Sequence, residues 1–256
     1  MRRDLKTAYS TEWFQDQRHA SLTSARQVVP LVLDLVQPKT VVDVGCGLGT
    51  WLSVFREHGI DDVWGIDGEY IDRNLLMIPS KRFIAADLTK RVDYCKNADL
   101  VVSLEVAEHL PANSADTFVE TLTKLAPVIL FSAAIPFQGG SNHQNERWPN
   151  YWAEKFSHYG YRIIDCLRRK LWENKSVQTC YAQNSFFFVR SEYAHTQPLF
   201  QTWCNPDPAQ LSVIHPNLYL EHVDPEKMCF RQALGLLGHV TKHRLRSRLR
   251  LPRLQK

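Results

Sequence analysis

The sequence predicts an α/β fold: a doubly wound, mostly parallel seven-stranded sheet with a C-terminal helical, basic extension. Three observations predict it. Short apolar runs rich in β-branched residues recur at 40–44, 63–67, 83–87, 100–105, 128–133, 162–165 and 185–189, and each has the length of a buried strand. Segments with helical spacing lie between several of them, and strands alternating with helices build parallel βαβ units. Finally, Asp43, Asp67, Asp87 and Glu105 fall at the ends of the first four runs. Right-handed crossovers place those ends on one rim, where ligands of such sheets bind.

Composition allows this fold and excludes others. The 256 residues suffice for one domain with extensions, and 44% hydrophobic with 11% aromatic content argues against disorder. Six cysteines at 46, 95, 166, 180, 204 and 229 form no Cys-x-x-Cys pair, which excludes a disulfide framework and a thiolate zinc site. Met1-Arg2-Arg3-Asp4 has no apolar core behind it, so no secretory signal is expected, and no apolar run is long enough to span a bilayer. A cytoplasmic location follows as the expectation. The net charge of +4 is uneven: residues 239–256 hold seven Lys/Arg and no acid, leaving 24 basic and 27 acidic residues, or −3, elsewhere. A mildly acidic body speaks against a nucleic-acid surface over the fold.

In chain order, residues 1–20 read as an N-terminal flap. A helix is expected over 21–36, with Ser24 as a candidate cap and Pro38 beyond its end. The first crossover helix spans 49–58 and stops at Gly59. Further helices are expected at 114–125 and 149–159, bringing the sheet domain to 21–195. Residues 196–256 form the extension. Its end places Leu237, Thr241, Leu245 and Leu249 on one helical face among arginines. Such a tail suits an anionic membrane surface, nucleic acid or plain solvent; the membrane reading would put it on the inner membrane surface and suit a lipid-linked acceptor.

The stretch that organises the chain is Val41-Val42-Asp43-Val44-Gly45-Cys46-Gly47-Leu48-Gly49-Thr50-Trp51, a strand breaking into glycines before a helix. Glycines there permit positive φ and close backbone approach to a ligand. Asp67, at the end of the next strand, is placed to accept hydrogen bonds from two ribose hydroxyls, which fits NAD or S-adenosylmethionine. The Gly-x-x-Gly spacing of dinucleotide sites is missing, and Asp43 would repel a pyrophosphate but organise an ammonium. A tight turn without a ligand is the structural alternative.

These residues resemble the class I S-adenosylmethionine-dependent methyltransferases over roughly 38–190. Val42–Thr50 is similar to their first motif, Gly65-Ile66-Asp67-Gly68 to the ribose-binding strand end, and Ala86-Asp87-Leu88 to the adenine loop. The resemblance implies a Rossmann-like methyltransferase fold. It assigns the methionine part to the turn of Gly45, Cys46, Gly47 and Gly49, the ribose to Asp67, and the adenine to Asp87 and Leu88; Asp43, Trp51, Gly68 and Leu104 complete the candidate cofactor-binding set.

Ser103-Leu104-Glu105-Val106-Ala107-Glu108-His109-Leu110 carries the chemistry. Glu105, Glu108 and His109 stand at i, i+3 and i+4, so one helical turn would align them. Carboxylates and an imidazole at a strand end suit Mg²⁺ or Mn²⁺, and imidazoles also admit Zn²⁺. The alternative is that Glu108-His109 only braces the following loop. Residues 135–152 supply a polar, Gly-containing loop suited to a substrate lid. In it His143 would complete the metal site or act as base, and Glu146 would orient it; alternatively Asn142 or Asn145 caps the next helix. Trp148 and Trp152 would stack on a sugar or pack in the core.

The Glu105, Glu108, His109 and later-His pattern resembles ubiquinone-pathway O-methyltransferases and small-RNA terminal 2′-O-methyltransferases, where such residues hold a metal. The stretches LEVAEHLP, SAAIP, NHQNERWPNYW and YAQN resemble a bacterial methyltransferase group associated with surface-polysaccharide and glycoside biosynthesis. An alcohol needs a base or a metal to become nucleophilic. The expected function is therefore O-methyl transfer to a hydroxyl of a sugar, glycan or glycoside intermediate. The alternatives are a terminal-ribose RNA methyltransferase and a non-catalytic S-adenosylmethionine-binding module.

Overall fold

A computed structural model describes residues 11–92, 97–196 and 208–224, with positions 200, 226, 234, 235, 237, 238, 240, 241 and 244 beyond them. The chain enters through α1 (Thr11–Val36), which begins well before the expected start at 21 and takes in the described part of the expected flap. Residues 1–10 of that segment lie outside the described residues. The buried positions Ala25, Val28, Val29, Val32 and Val36 repeat at three and four residues, which is one helical face. Ser24 is not a cap. It sits mid-helix, donates to the Ala20 carbonyl at 2.9 Å and accepts the Gln178 amide at 3.0 Å, so it joins two distant segments.

The seven expected strands form one sheet. They are β1 (Thr40–Val44), β2 (Asp62–Asp67), β3 (Phe83–Ala85), β4 (Leu100–Leu104), β5 (Val128–Ser132), β6 (Tyr161–Ile164) and β7 (Phe186–Arg190), in the order β3-β2-β1-β4-β5-β7-β6. All neighbouring pairs are parallel except those of β7, which runs antiparallel to both β5 and β6. Asp87 and Glu105 lie just past the strands they were expected to end.

Helices cover both faces. On one, α1, α2 (Thr50–Glu57), α5 (Arg168–Leu171) and α6 (Thr179–Asn184) pack on Val41, Leu100, Val102, Leu130 and Phe187. On the other, α3 (Ala115–Leu125) and α4 (Pro149–Ser157) pack on Val42, Val44, Val101, Ile129 and Phe188. Adjacent residues of one strand belong to opposite cores, the period of two expected of a sheet buried on both sides. In the second core Phe156 stacks on Phe188 at 3.9 Å, and Phe131 meets Trp152 at 5.3 Å. Burying each such ring stabilises the fold by about 1.5–3 kcal/mol. Trp152 is 2% exposed and therefore a core residue rather than a sugar platform.

Arg168 ties the following turn of chain to this core. It pairs with Asp165, donates to the Gln210 and Leu211 carbonyls of α8 (Pro208–Leu211), and lies over the Phe186 ring. Between β7 and α8 runs α7 (Ser191–Thr196).

Residues 214–256 make a separate unit. Its described helix, α9 (Pro216–Val223), is capped by His215 Nδ1, which accepts the Asn217 amide at 3.1 Å. Most of the basic segment 239–256 lies outside the described residues. No helix among the described residues is long and apolar enough to cross a membrane.

A candidate active site at the carboxyl rim

The turn after β1 is built mostly of backbone. The Gly45 and Cys46 amides both donate to the Ile66 carbonyl at 2.7 and 3.3 Å, which locks the turn to β2. Gly45 has φ 87°, and a Cβ there would fall inside the Val106 side chain, so glycine is required on two grounds. Asp43 faces the cleft beside this turn. Burial, and then the charge of Asp67, push its carboxyl well above the usual range.

Asp67 is equally buried but already engaged. It accepts the Gly47 amide at 2.7 Å, the Gly68 amide at 2.6 Å and the Tyr70 hydroxyl at 2.6 Å. Burial raises its carboxyl above the usual range, and these donors offset only part of that rise. The Tyr70 ring occupies the space a Cβ on Gly68 would need. Asp87 is exposed; Thr89 and Lys90 hold its carboxyl below the usual range against a smaller opposing effect of burial.

A cleft of about 380 Å³ opens on the rim. It brings together Asp43, Gly45, Cys46, Gly47, Trp51 and Leu104 from the expected cofactor set, and Glu105, Glu108, His109 and His143 from the chemical set. Gly49, Asp67, Gly68, Asp87, Leu88 and Glu146 are not on its wall. The cleft thus joins the expected methionine site to the Glu108, His109 and His143 cluster, while Asp67, bonded to the Tyr70 hydroxyl, is off its wall.

On the acceptor side, one backbone angle changes the expected arrangement. Glu105 adopts φ 54°, and the short turn Ala107–His109 begins only after it, so Glu105, Glu108 and His109 do not share a helical face. The left-handed residue sends the Glu105 carboxylate elsewhere. It accepts Gln138 Nε2 at 2.7 Å and Asn184 Nδ2 at 3.1 Å, and Asn184 also donates to Gln138 Oε1 at 2.8 Å. The Glu105 amide is fixed by Ser132 Oγ at 3.0 Å and the Ser132 carbonyl at 3.1 Å. The possible ligand atoms that do converge belong to Glu108, His109 and His143, all within 4.8 Å of one another. Glu105 is not among them, contrary to the spacing.

Glu108 is fully buried, and neither carboxylate oxygen has a hydrogen-bond partner. Burial, then the Glu105 charge, raise its acid well above the usual range; the nearby Glu108 and Ala134 amides oppose this more weakly. The His109 and His143 rings meet edge to face at 4.7 Å. Burial, then His143, lower His109 to about 4, so it is a neutral imidazole at ordinary pH.

The loop over this cluster is organised by Glu146. Its carboxylate accepts the Phe137 amide at 2.8 Å, the Gly139 amide at 2.9 Å and His143 Nδ1 at 2.9 Å. Gln144 and Asn145 amides donate to the Glu108 carbonyl at 2.8 and 3.0 Å, stitching the loop to the Ala107–His109 turn. Neither Asn142 nor Asn145 caps α4; Trp148 is its N-cap residue, with no side-chain cap, and Pro149 follows. Sequence reasoning missed Gln138, Asn184, Ser132, Tyr70 and Phe137 in these roles. Only the polar pair Gln183-Asn184 directly before an apolar strand signalled any of them.

A profile of the family described as "Methyltransferase domain" matches residues 14–174. A search of curated proteins found no match. Among solved structures, magnesium protoporphyrin IX methyltransferase (ChlM) from Synechocystis PCC 6803 with bound SAH aligns at TM-score 0.51 and 20% identity, covering 73% of this chain and 92% of that one. DesVI of Streptomyces venezuelae aligns at 0.51 and 14%, covering 75% and 100%. The sugar N-methyltransferase KedS8 from Streptoalloteichus sp. ATCC 53650 aligns at 0.51 and 14%, covering 66% and 87%. At these identities the likeness is one of fold. With the profile spanning more than half of the chain, and the glycine turn and seven-stranded sheet beneath it, the chain belongs to the methyltransferase-domain family, with the fold of the class I S-adenosylmethionine-dependent enzymes.

Proposed function

We propose that the protein transfers a methyl group from S-adenosylmethionine to a hydroxyl of a sugar or glycoside intermediate, in a cleft that also takes a divalent cation. The observation that carries the reading is Glu108, a buried carboxylate with two unpartnered oxygens beside two imidazoles. Such a group destabilises a fold by several kcal/mol, on the order of 3–5, unless a proton or a cation accompanies it. Glu108, His109 and His143 fit a cation as a carboxylate and two imidazoles, with room left for further ligands. With Glu105 outside the set, the donors favour Mn²⁺ or Zn²⁺ over Mg²⁺. A cation bound there supplies positive charge that lowers the pKa of a nearby hydroxyl.

The chain's own residues do the rest. Asp43 presents a carboxylate to the ammonium of the donor, and the Gly45–Gly49 turn lets backbone lie against it. Glu146 holds the proton of His143 on Nδ1, which leaves the Nε2 lone pair free for the cluster. The acceptor hydroxyl gives its proton to water, and its oxygen attacks the methyl carbon in line with sulfur; the new C–O bond forms as the C–S bond breaks, and S-adenosylhomocysteine leaves with a neutral sulfur. A vicinal diol suits the site because it offers two adjacent oxygens. The His143–Glu146 pair also favours a second reading, in which Nε2 takes the acceptor proton without a metal.

Purified protein incubated with S-adenosylmethionine and a panel of methyl glycosides, followed by mass spectrometry, is expected to add one CH₂, and EDTA is expected to stop the reaction. Absence of S-adenosylmethionine binding by calorimetry would sink the reading altogether. Activity that survives EDTA leaves the base reading in place. The basic sequence at 239–256 supports a lipid-linked acceptor at an anionic membrane surface. Truncation at residue 238 should then abolish binding to phosphatidylserine vesicles and spare transfer to a soluble glycoside.

A further inference from the structure

Phe137 carries two unfavourable features. Its ring is 85% exposed, and its backbone sits at φ 69°, a region that bulky residues rarely enter. Left-handed backbone at a bulky residue persists only where its surroundings impose it, and it clusters at ligand sites. Here Glu146 imposes it, since the same carboxylate that accepts the Phe137 amide also accepts His143 Nδ1. The position of the Phe137 backbone is therefore coupled to that of the imidazole at the centre of the site. The next three residues, Gln138, Gly139 and Gly140, line the cleft.

We infer that Phe137 is a platform for the acceptor and stacks on the C–H face of a neutral pyranose ring while a hydroxyl of that ring reaches the Glu108–His109–His143 cluster. The inference rests on the proposed function and names where its substrate lies. Neutrality follows from charge. No lysine or arginine is among the described residues that line the cleft, whereas Glu105 and Glu108 are, and Glu146 stands just behind. A phosphate-rich acceptor would meet carboxylates and no cationic side chain on that wall. The hydroxyls of a sugar are matched by the polar loop that follows Phe137, where Gln138 and Ser141 and the backbone of Gly139 and Gly140 border the cleft. An amphipathic ring, apolar on one face and hydroxylated at its edge, is the chemistry that one exposed aromatic beside such a loop recognises.

Saturation-transfer NMR tests this on the full chain with S-adenosylhomocysteine present. The probes are methyl α-D-glucopyranoside, methyl α-D-mannopyranoside, methyl α-L-rhamnopyranoside, catechol and adenosine monophosphate. At least one pyranoside should receive saturation at its ring protons. Phe137→Ala should weaken that binding by about five-fold, the size of an aromatic contact, and Phe137→Trp should retain it. Calorimetry with S-adenosylhomocysteine should give the same affinity for all three proteins, which shows that the variants fold. The inference is overturned if no pyranoside is saturated, if Phe137→Ala binds pyranoside as wild type does, or if catechol or adenosine monophosphate is the probe that loses contact. Methyl transfer is read separately. Pyranoside binding that depends on Phe137 but yields no methylated product overturns the proposed reaction and leaves the platform standing.

Discussion

The two sides of the cleft are made in different ways. The side proposed for the donor is mainly backbone: a glycine turn locked to β2, with Asp43 and Asp67 at the ends of β1 and β2. The side proposed for the acceptor is mainly side chain. Glu105, Gln138, Asn184, Glu146 and His143 come from a strand end, a loop and a helix, and they hold one another. A site made of backbone tolerates almost no substitution at its turn but needs few particular side chains. A site made of a side-chain network can lose one member and keep its shape, provided that member is not the charge at its centre.

The largest effect should come from the donor turn. Gly45→Val forces a side chain into the space of Val106 at a left-handed residue, so stability should fall by about 2–4 kcal/mol and S-adenosylhomocysteine affinity by about 100-fold or more. Thermal unfolding and calorimetry read the two effects. A variant with wild-type affinity would show that the turn is not the donor cradle.

On the acceptor side the decisive contrast is between two glutamates. Glu108→Gln should reduce Mn²⁺ affinity by about 100-fold, and the metal-free variant should gain stability over the wild type only as pH climbs high enough to force the raised Glu108 acid to ionise. Glu105→Gln should leave Mn²⁺ affinity within about three-fold, since its carboxylate holds Gln138 and Asn184 rather than the cluster. Calorimetric Mn²⁺ titration decides; equal losses in both variants would return Glu105 to the metal site.

A smaller effect, seen through pH, belongs to Asp43. Burial raises its acid, whereas the donor's ammonium favours the ionised form, so donor binding releases a proton whenever Asp43 is protonated. Affinity should therefore weaken as pH falls, by at most about ten-fold per unit, and Asp43→Asn should bind more weakly with no such slope. The stability of the donor-free protein has the opposite sign. A raised acid contributes stability at low pH and loses that contribution as pH climbs through its folded value.

The smallest effect is a gain. The Tyr70 hydroxyl occupies an oxygen of Asp67 that ribose hydroxyls would use. Tyr70→Phe should raise S-adenosylhomocysteine affinity by about three- to ten-fold, the net worth of one ordinary hydrogen bond. Unchanged or weaker binding would mean that Tyr70 is part of the donor seat.

The same contrast explains what could be read from the sequence. The donor side was legible because its determinants are contiguous: apolar run, acid, glycines and helix fall within 40–57 and shape one another locally. All seven strands were legible for the same reason. The acceptor cluster was legible only in part. Spacing located Glu108 and His109, and loop composition pointed to His143. Glu105 was misplaced because counting along a helix assumes regular backbone, and one left-handed residue redirects the side chain before the turn begins. Asn184 lies 79 residues from the glutamate it holds, a pairing that only the assembled sheet creates. The start of α1 was missed because its first turns lack the apolar periodicity that marks the rest of it.

The reversal of β7 has a consequence for how such sheets acquire new sites. In a parallel strand, the residue delivered to the rim follows the strand; in a reversed strand it precedes it. Because Phe186 pairs with Phe131 near the end of β5, the chain just before β7 arrives at the rim beside Ser132, and Asn184 comes with it. The segment between β6 and β7 therefore opens onto the reaction, while the chain leaving β7 runs away from it. Variation in that inbound segment can retune the acceptor side without lengthening any loop after a parallel strand. Polarity, more than position in the sheet, decides which stretches of this chain are open to chemical change.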